Sequence, residues 1–188
     1  MKKLKITFNS PVVLGFMFIS FMTLFLNVLT LGKSNALLFM TYHSALTDPL
    51  TYVRLFTHVL GHAGWEHYIG NAAYILLLGP MLEEKYGSKE IVYVILITAM
   101  VTGVMNYIFF PGVALCGASG VVFAFILLTS FTNFKNGEIP VTFILVAVIY
   151  LGQQVYEGIS IQDNISNLSH VVGGIIGSIV GYRKNKKR

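Results

Sequence analysis

Long apolar runs separated by short polar or charged segments dominate the pattern along the chain. A helix needs about 20 largely apolar residues to cross the hydrocarbon core of a bilayer. The pattern predicts six membrane-spanning helices, at 11–31, 67–82, 91–110, 115–134, 139–156 and 166–182. The second and last runs are short, so we expect these two helices to pack against neighbours rather than face lipid along their whole length.

The segment 32–57 is too polar for a further crossing, yet it contains large apolar and aromatic side chains. Lys33 and Arg54 are among its charged residues, and Phe39 and Tyr52 are among its apolar ones. Segments of this mixed character lie along the membrane–water interface. We interpret it as an outer loop that lies partly in the interface and acts as a lid or packing element rather than as a substrate contact.

Composition agrees with a single membrane domain that covers residues 1–188. Of these residues, 55% are hydrophobic and only 11% are charged, against about 25% charged in soluble proteins. A water-soluble fold of this length has too little interior to hide so much apolar surface. The single cysteine, Cys116, excludes an intramolecular disulfide, and we interpret it as a small apolar residue beside Gly117 rather than as a reactive thiol.

Basic residues indicate the orientation, because loops rich in lysine and arginine stay in the cytoplasm. Among the lysines and arginines, only Lys33 and Arg54 lie in a segment predicted to be on the outer side of the membrane. Six crossings therefore place both termini in the cytoplasm, and topology and anionic lipid account for the net charge of +5 without a nucleic-acid partner. The residues on the cytoplasmic side are Lys2, Lys3, Lys5, Lys85, Lys89, Lys135, Arg183, Lys184, Lys186, Lys187 and Arg188.

Three predicted spans carry a polar side chain at a similar depth. A polar group inside hydrocarbon is costly, so its presence is a functional hypothesis by default. Counted from the cytoplasmic ends of their helices, Asn71, Ser119 and His170 lie roughly 18–24 Å above the inner surface. This level is past the middle of a core about 30 Å thick, so the three residues can share one site.

A serine and a histidine at one depth suit acyl transfer. The Ser119 hydroxyl can attack an amide if neutral His170 takes its proton. Aspartate and glutamate occur only near the span ends, so we predict a dyad whose imidazole is oriented by packing or backbone contacts. Gly117 and Gly120 flank the serine and allow a tight turn and a close backbone approach. The helix start there also offers unpaired N–H groups to an oxyanion.

Small residues indicate how the two helices meet. Gly173 and Gly177 follow His170 at i+3 and i+7, so they share its helix face. Such a stripe lets a partner backbone come close. If the partner is the fourth helix, His170 reaches Ser119, and Phe123, one turn after the serine, packs against the imidazole and holds its plane.

The second predicted helix supplies further donors. His67 and Asn71 are four residues apart and share a face, so both can donate hydrogen bonds toward a developing oxyanion together with the backbone N–H of Ser119. His58 and His62 have the same spacing. For this pair, a structural role near the interface and a role in the site are equally open.

The combination of motifs resembles a known family over nearly the whole chain. The motifs are Arg54-Leu55-Phe56-Thr57-His58, His62, His67-x-x-x-Asn71, Gly117-Ala118-Ser119-Gly120 and His170-x-x-Gly173-x-x-x-Gly177. In this order and spacing they resemble the rhomboid family of intramembrane serine proteases. The resemblance implies a six-helix bundle, with Ser119 as nucleophile, His170 as general base, and His67, Asn71 and the Ser119 backbone as oxyanion hole.

The resemblance also implies substrates that are themselves transmembrane segments, which enter laterally and are cut near their outer ends. It implies no metal and no organic cofactor. The small size and bare six-helix plan are typical of a bacterial plasma-membrane member. Two positions depart from the common pattern: Val53-Arg54 replaces Trp-Arg, and Phe123 stands where an aromatic hydroxyl is common. Neither departure touches the proposed dyad.

Two other functions remain open from the sequence. One is a noncatalytic relative that binds transmembrane clients, although intact Ser119 and His170 argue against it. The other is a metal site or metal transporter built from His58, His62 and His67, since histidines at i,i+4 often chelate metals. Val59 follows His58, so the His-Glu-x-x-His arrangement of zinc hydrolases is missing.

Overall fold

The structure, a computed structural model, describes residues 7–132, 138–160 and 164–186. Within these ranges the chain is helical, and extended backbone pairs only at one antiparallel bridge between Thr41 and Leu115. A π-helical turn covers Asn35–Phe39 and a 3-10 turn covers His58–Leu60. The α-helices are α1 Pro11–Leu29, α2 Pro49–Thr57, α3 Trp65–Tyr86, α4 Ser88–Phe109, α5 Ser119–Thr129, α6 Val141–Ser160 and α7 Asn164–Lys186.

Six of these helices correspond to the six predicted spans, which confirms the all-α class for the described residues. Helices α3 and α7, predicted to be short, have 22 and 23 residues. Both helices extend past their apolar runs into polar and charged residues. Acidic residues stabilise the first turn of a helix and basic residues its last turn. Glu66 lies in the first turn of α3 and Lys85 in its last turn, where each complements the helix dipole.

The fourth predicted helix begins later than the apolar run suggests. We expected it to start at 115, but α5 begins at Ser119 and has 11 residues. Leu115 instead exchanges backbone hydrogen bonds with Thr41 at 2.8 and 2.9 Å, and Gly117 has a φ of 129°, which a helix cannot contain. The predicted end of this helix, at 134, lies outside the described residues.

Two helices of the described residues are long and apolar enough to cross a bilayer by themselves. They are α1 and α4, with mean hydropathies of 2.3 and 2.0. Helix α5 and residues Val141–Tyr156 of α6 are apolar but shorter. Several basic residues used to predict the orientation lie outside the described residues, namely Lys2, Lys3, Lys5, Lys135, Lys187 and Arg188.

Apolar side chains lie both inside and outside the bundle. The central helix α5 is buried on several sides, with Val121, Phe125 and Leu128 fully enclosed. The peripheral helices expose large apolar side chains, such as Phe18 of α1 and Val148 of α6, at 64% and 65% of their surface. A soluble protein rarely exposes so large an apolar area, so the outer surface suits contact with lipid.

The segment 32–57, predicted as a loop, contains the π-helical turn and helix α2. Asp48 caps α2 by accepting a hydrogen bond from the backbone of Leu50 at 2.9 Å. Arg54 is only 2% exposed and donates to Asp48 Oδ2 at 2.8 Å and to the carbonyl of Leu37 at 3.2 Å. The Arg54 contact, followed by that from Leu50, holds the pKa of the Asp48 carboxyl below its ordinary value, so the carboxylate persists into mildly acidic solution.

The first turn of α1 is capped by a carboxylate from another helix. Ser10 precedes α1 without a side-chain capping bond, and Glu83 of α3 accepts hydrogen bonds from the backbone N–H groups of Val12 and Val13 at 3.1 and 3.0 Å. The hydroxyl of Ser88 donates to the same carboxylate at 2.6 Å. Glu83 therefore joins the start of α1 to the α3–α4 junction.

We predict that Glu83→Gln lowers the free energy of unfolding by about 1–3 kcal/mol, because one acceptor oxygen becomes an amide donor that faces an N–H group. The measurement is equilibrium unfolding in mild detergent. Glu84→Gln is the matched control, since Glu84 is exposed on the same helix. Equal stability of the two variants would contradict the capping role.

Candidate active site

Ser119 lies at the junction of a tight turn and the start of α5. The turn is made by Gly117, whose backbone N–H donates to the carbonyl of His58 at 2.9 Å. Ala118 is the capping residue, and Ser119 is the first residue of the helix. Its backbone N–H is one of the first four of the helix, which have no partner within it. The half-buried side chain therefore sits beside a group of available donors.

His170 reaches this junction from α7. Its imidazole is stacked on the ring of Phe123, with centroids 4.3 Å apart and planes 5° from parallel, so the predicted packing of these rings is confirmed. Phe123 is four residues after Ser119 and shares its helix face. Gly120 packs against the residue before His170: a Cβ added to Gly120 would lie 3.4 Å from the carbonyl oxygen of Ser169. The serine turn and the histidine are thus neighbours across α5 and α7.

The close approach of α5 and α7 depends on the predicted glycine stripe. A Cβ added to Gly173 would overlap the carbonyl oxygen of Gly120 and lie 2.8 Å from its carbonyl carbon. One added to Gly177 would meet the carbonyl of Ala124 in the same way. The two backbones are in direct contact at these positions, as the sequence predicted, and this contact sets the distance between the helices that carry Ser119 and His170.

The structure adds a side chain that the sequence analysis missed. Besides the expected packing against Phe123, Gln154 of α6 places its Oε1 2.6 Å from Nδ1 of His170. Gln154 is only 7% exposed. A polar residue within an apolar span is a signal that the sequence carries. An amide oxygen can orient an imidazole as a carboxylate does, so the lack of a carboxylate inside the spans did not exclude a side-chain partner.

His67 and Asn71 line the other side of the serine turn. A Cβ added to Gly117 would lie 2.6 Å from the His67 ring and 3.8 Å from Nδ2 of Asn71. Asn71 is 6% exposed, and its Nδ2 has no hydrogen-bond partner among the described residues. A buried unpaired donor is costly, and here it lies next to the turn that carries Ser119.

His58 and His62 do not form the helical pair that their spacing suggested. The 3-10 turn ends at Leu60 and Gly61 is extended, so the two rings point to different partners. Nε2 of His58 lies 3.2 Å from Oγ1 of Thr102, whereas the His62 ring packs edge-on against His67. Within the described ranges, no three His, Cys, Asp or Glu side chains are grouped as a metal site requires.

Cys116 lies beside the turn, directly before Gly117. Its side chain is partly buried, which limits the access of a substrate to the thiol. Its interpretation as a small apolar residue rather than a reactive thiol stays a prediction.

Sequence comparison identifies the fold to which these features belong. The profile of the rhomboid domain matches residues 49–187, which include α2 to α7 and every residue of the candidate site. The chain belongs to the rhomboid family. Members of this family are integral membrane proteins and are typically serine proteases that act within the membrane.

Individual relatives of this rhomboid chain come from a bacterium and from animals. The rhomboid protease GlpG of Haemophilus influenzae is 24% identical over 163 residues, which cover 84% of this chain and 83% of that protein. Rhomboid-related protein 2 of Mus musculus is 28% identical, over 73% of this chain and 52% of its own length. Rhomboid-related protein 1 of Caenorhabditis elegans is 28% identical, over 69% and 39%. A bacterial source thus stays a prediction.

Proposed function

We propose that this rhomboid chain is an intramembrane serine endopeptidase that hydrolyses transmembrane substrates near the outer membrane face. Ser119 is the nucleophile and His170 is the general base. The observation that carries the proposal is the stacking of His170 on Phe123, one helical turn from Ser119. A helix N-terminus and the unpaired amide of Asn71 adjoin the same turn, as the chemistry of acyl transfer requires.

In the proposed reaction, Nε2 of His170 takes the proton of the Ser119 hydroxyl as Oγ attacks the scissile carbonyl. The tetrahedral oxyanion accepts hydrogen bonds from the Ser119 backbone N–H, His67 and Asn71. The C–N bond then breaks, and His170 gives its proton to the leaving amine. Water adds to the resulting ester, again with His170 as base, and the acid product leaves with Ser119 restored.

We further propose that the six helices corresponding to the predicted spans cross the bilayer, with both termini in the cytoplasm. Basic residues lie at the C-terminal ends of α3 and α7 and at the N-terminal end of α4, and Lys184 of α7 pairs with Glu90 of α4. The turn that precedes Ser119 packs against His67, near the N-terminal end of α3, and that end is opposite to the one that carries Lys85. Together with the positive-inside rule, this arrangement supports the proposal that the serine lies in the outer half of the membrane.

A serine-directed fluorophosphonate tests the nucleophile directly. We expect a biotinylated fluorophosphonate to label the wild-type protein in mild detergent and to leave Ser119→Ala unlabelled. Ser130→Ala is the matched control and should label normally, because Ser130 is the C-terminal capping residue of the same helix and donates to the carbonyl of Ile126. A wild-type chain that stays unlabelled would favour the noncatalytic, client-binding function, and labelling of Ser119→Ala would place the nucleophile elsewhere.

Asn71→Ala tests the oxyanion hole. We expect kcat to fall by no more than about 10²–10³-fold, because one donor is lost and the others remain. The measurement is the initial rate of cleavage in proteoliposomes. Asn185→Ala is the control, since Asn185 is also a buried amide but bonds to Gly181 and Tyr86 at the other end of the bundle. An unchanged kcat in Asn71→Ala would remove this residue from the mechanism.

A further inference from the structure

The hydrogen bond between Gln154 and His170 restricts the state of the imidazole. A neutral histidine has one N–H group and one nitrogen lone pair. The oxygen of an amide can only accept, so Oε1 of Gln154, at 2.6 Å from Nδ1, requires the proton to be on Nδ1. The lone pair is then on Nε2, the ring nitrogen that a general base needs free.

We propose that Gln154 is a positioning residue that holds His170 in the Nδ1–H tautomer and thereby keeps Nε2 available as the base. The proposal rests on the proposed function of the Ser119 site. Loss of this acceptor removes the hydrogen bond that favours the proton on Nδ1, so the Nε2–H tautomer and a rotated ring become more populated. Either change removes the lone pair from the neighbourhood of the serine.

Two contacts from α6 act on the ring system together. Tyr150 and Gln154 are four residues apart and share one helix face. The Tyr150 ring meets Phe123 edge-on, with centroids 6.0 Å apart and planes 79° from parallel, while Phe123 lies flat against His170. Phe123 therefore fixes the plane of the imidazole, and Gln154 fixes its rotation within that plane.

An amide also suits this environment better than the aspartate of a catalytic triad. The His170 side chain is half-buried in a bundle with an apolar surface, where an ionised carboxylate carries a large desolvation cost. The carbonyl dipole of Gln154 still faces Nδ1–H, and it stabilises the imidazolium that forms when Nε2 takes a proton. Orientation is thus obtained without a second buried charge.

Nitrogen NMR of protein labelled with ¹⁵N-histidine and held in lipid nanodiscs tests the proposal without reference to turnover. The signals of His170 are assigned by their loss in His170→Ala. We expect the Nδ1–H tautomer in the wild-type protein at pH 8, and a mixture containing Nε2–H in Gln154→Leu. Gln154→Met, of similar length and without a carbonyl, is measured in parallel in case the leucine variant does not fold.

Cleavage kinetics supply the second measurement. Gln154→Leu should lower kcat on the order of tenfold to a hundredfold, with KM within about twofold of the wild-type value. Gln154→Glu retains an acceptor for Nδ1–H, so kcat should fall less than in Gln154→Leu, although the desolvated carboxylate should lower the stability of the variant. Gln153→Leu is the matched control, because it makes the same exchange on the exposed neighbouring position, and it should leave both the tautomer and kcat unchanged.

The outcomes separate this inference from the proposed function. An unchanged tautomer in Gln154→Leu and Gln154→Met overturns the positioning role, whether or not kcat falls. A tautomer that depends on Gln154, in a protein that neither cleaves nor reacts with fluorophosphonate, upholds the hydrogen bond as the device that sets the imidazole and refutes the protease. If Gln154→Leu changes the tautomer of His170 and also lowers kcat, the result supports both the proteolytic function and the positioning role of Gln154.

Discussion

Cleavage of a transmembrane substrate in proteoliposomes is expected to stop when Ser119 is replaced by alanine. The loss should be at least about 10⁴-fold in kcat, because no other group takes over the covalent step when the nucleophile of a serine hydrolase is removed. His170→Ala should cause a similar loss, since the hydroxyl then has no base. The two losses should not add in the double variant, because both residues serve the same step.

The fold of these variants needs a separate check. Ser119 is half-buried, so removing its hydroxyl should leave the circular dichroism spectrum and the thermal midpoint unchanged. His170→Phe complements His170→Ala, because it preserves a ring against Phe123 while removing the base. Undiminished cleavage by a correctly folded Ser119→Ala protein would refute the mechanism, and alkylation of Cys116 would then show whether the thiol is the nucleophile.

The parts of the fold that could be predicted from sequence are those with one dominant physical cause. An apolar run of sufficient length has few alternatives to a helix within a bilayer, so each of the six predicted spans corresponds to a helix of the described residues. Ser119, His170 and Asn71 stood out because polar groups are rare in such runs. The spacing of Gly173 and Gly177 indicated a backbone contact, which the structure places against α5.

The errors arose where tertiary contacts override local pattern. Residues 115–118 are apolar or small, and this pattern predicted a helix. The β-bridge between Leu115 and Thr41 instead keeps these residues in a non-helical turn. His58 and His62 have helical spacing, yet the chain leaves helical geometry between them. Gln154 is an amide rather than a carboxylate, and it lies 16 positions before His170. Its helix, α6, has a rotation relative to α7 that cannot be predicted from the sequence, so the contact was missed.

The backbone contact between α5 and α7 leads to the other large effect. We predict that Gly173→Ala lowers the free energy of unfolding by about 1–3 kcal/mol or more and abolishes most proteolysis. The new methyl group would overlap the carbonyl of Gly120, and that carbonyl belongs to the backbone and cannot rotate away as a side chain can. The helices must separate, and the imidazole then moves away from Ser119.

The measurements are the thermal midpoint and the cleavage rate in mild detergent, with Gly152→Ala as the control. Gly152 is also inside a helix, but a Cβ added there meets nothing within 4 Å. Alanine at that position should stabilise the protein by up to about 1 kcal/mol, because glycine loses more conformational freedom on folding. Equal behaviour of the two variants would mean that helix propensity governs both positions. A Gly173→Ala protein that is stable and fully active would show that α5 and α7 can carry the dyad without direct backbone contact.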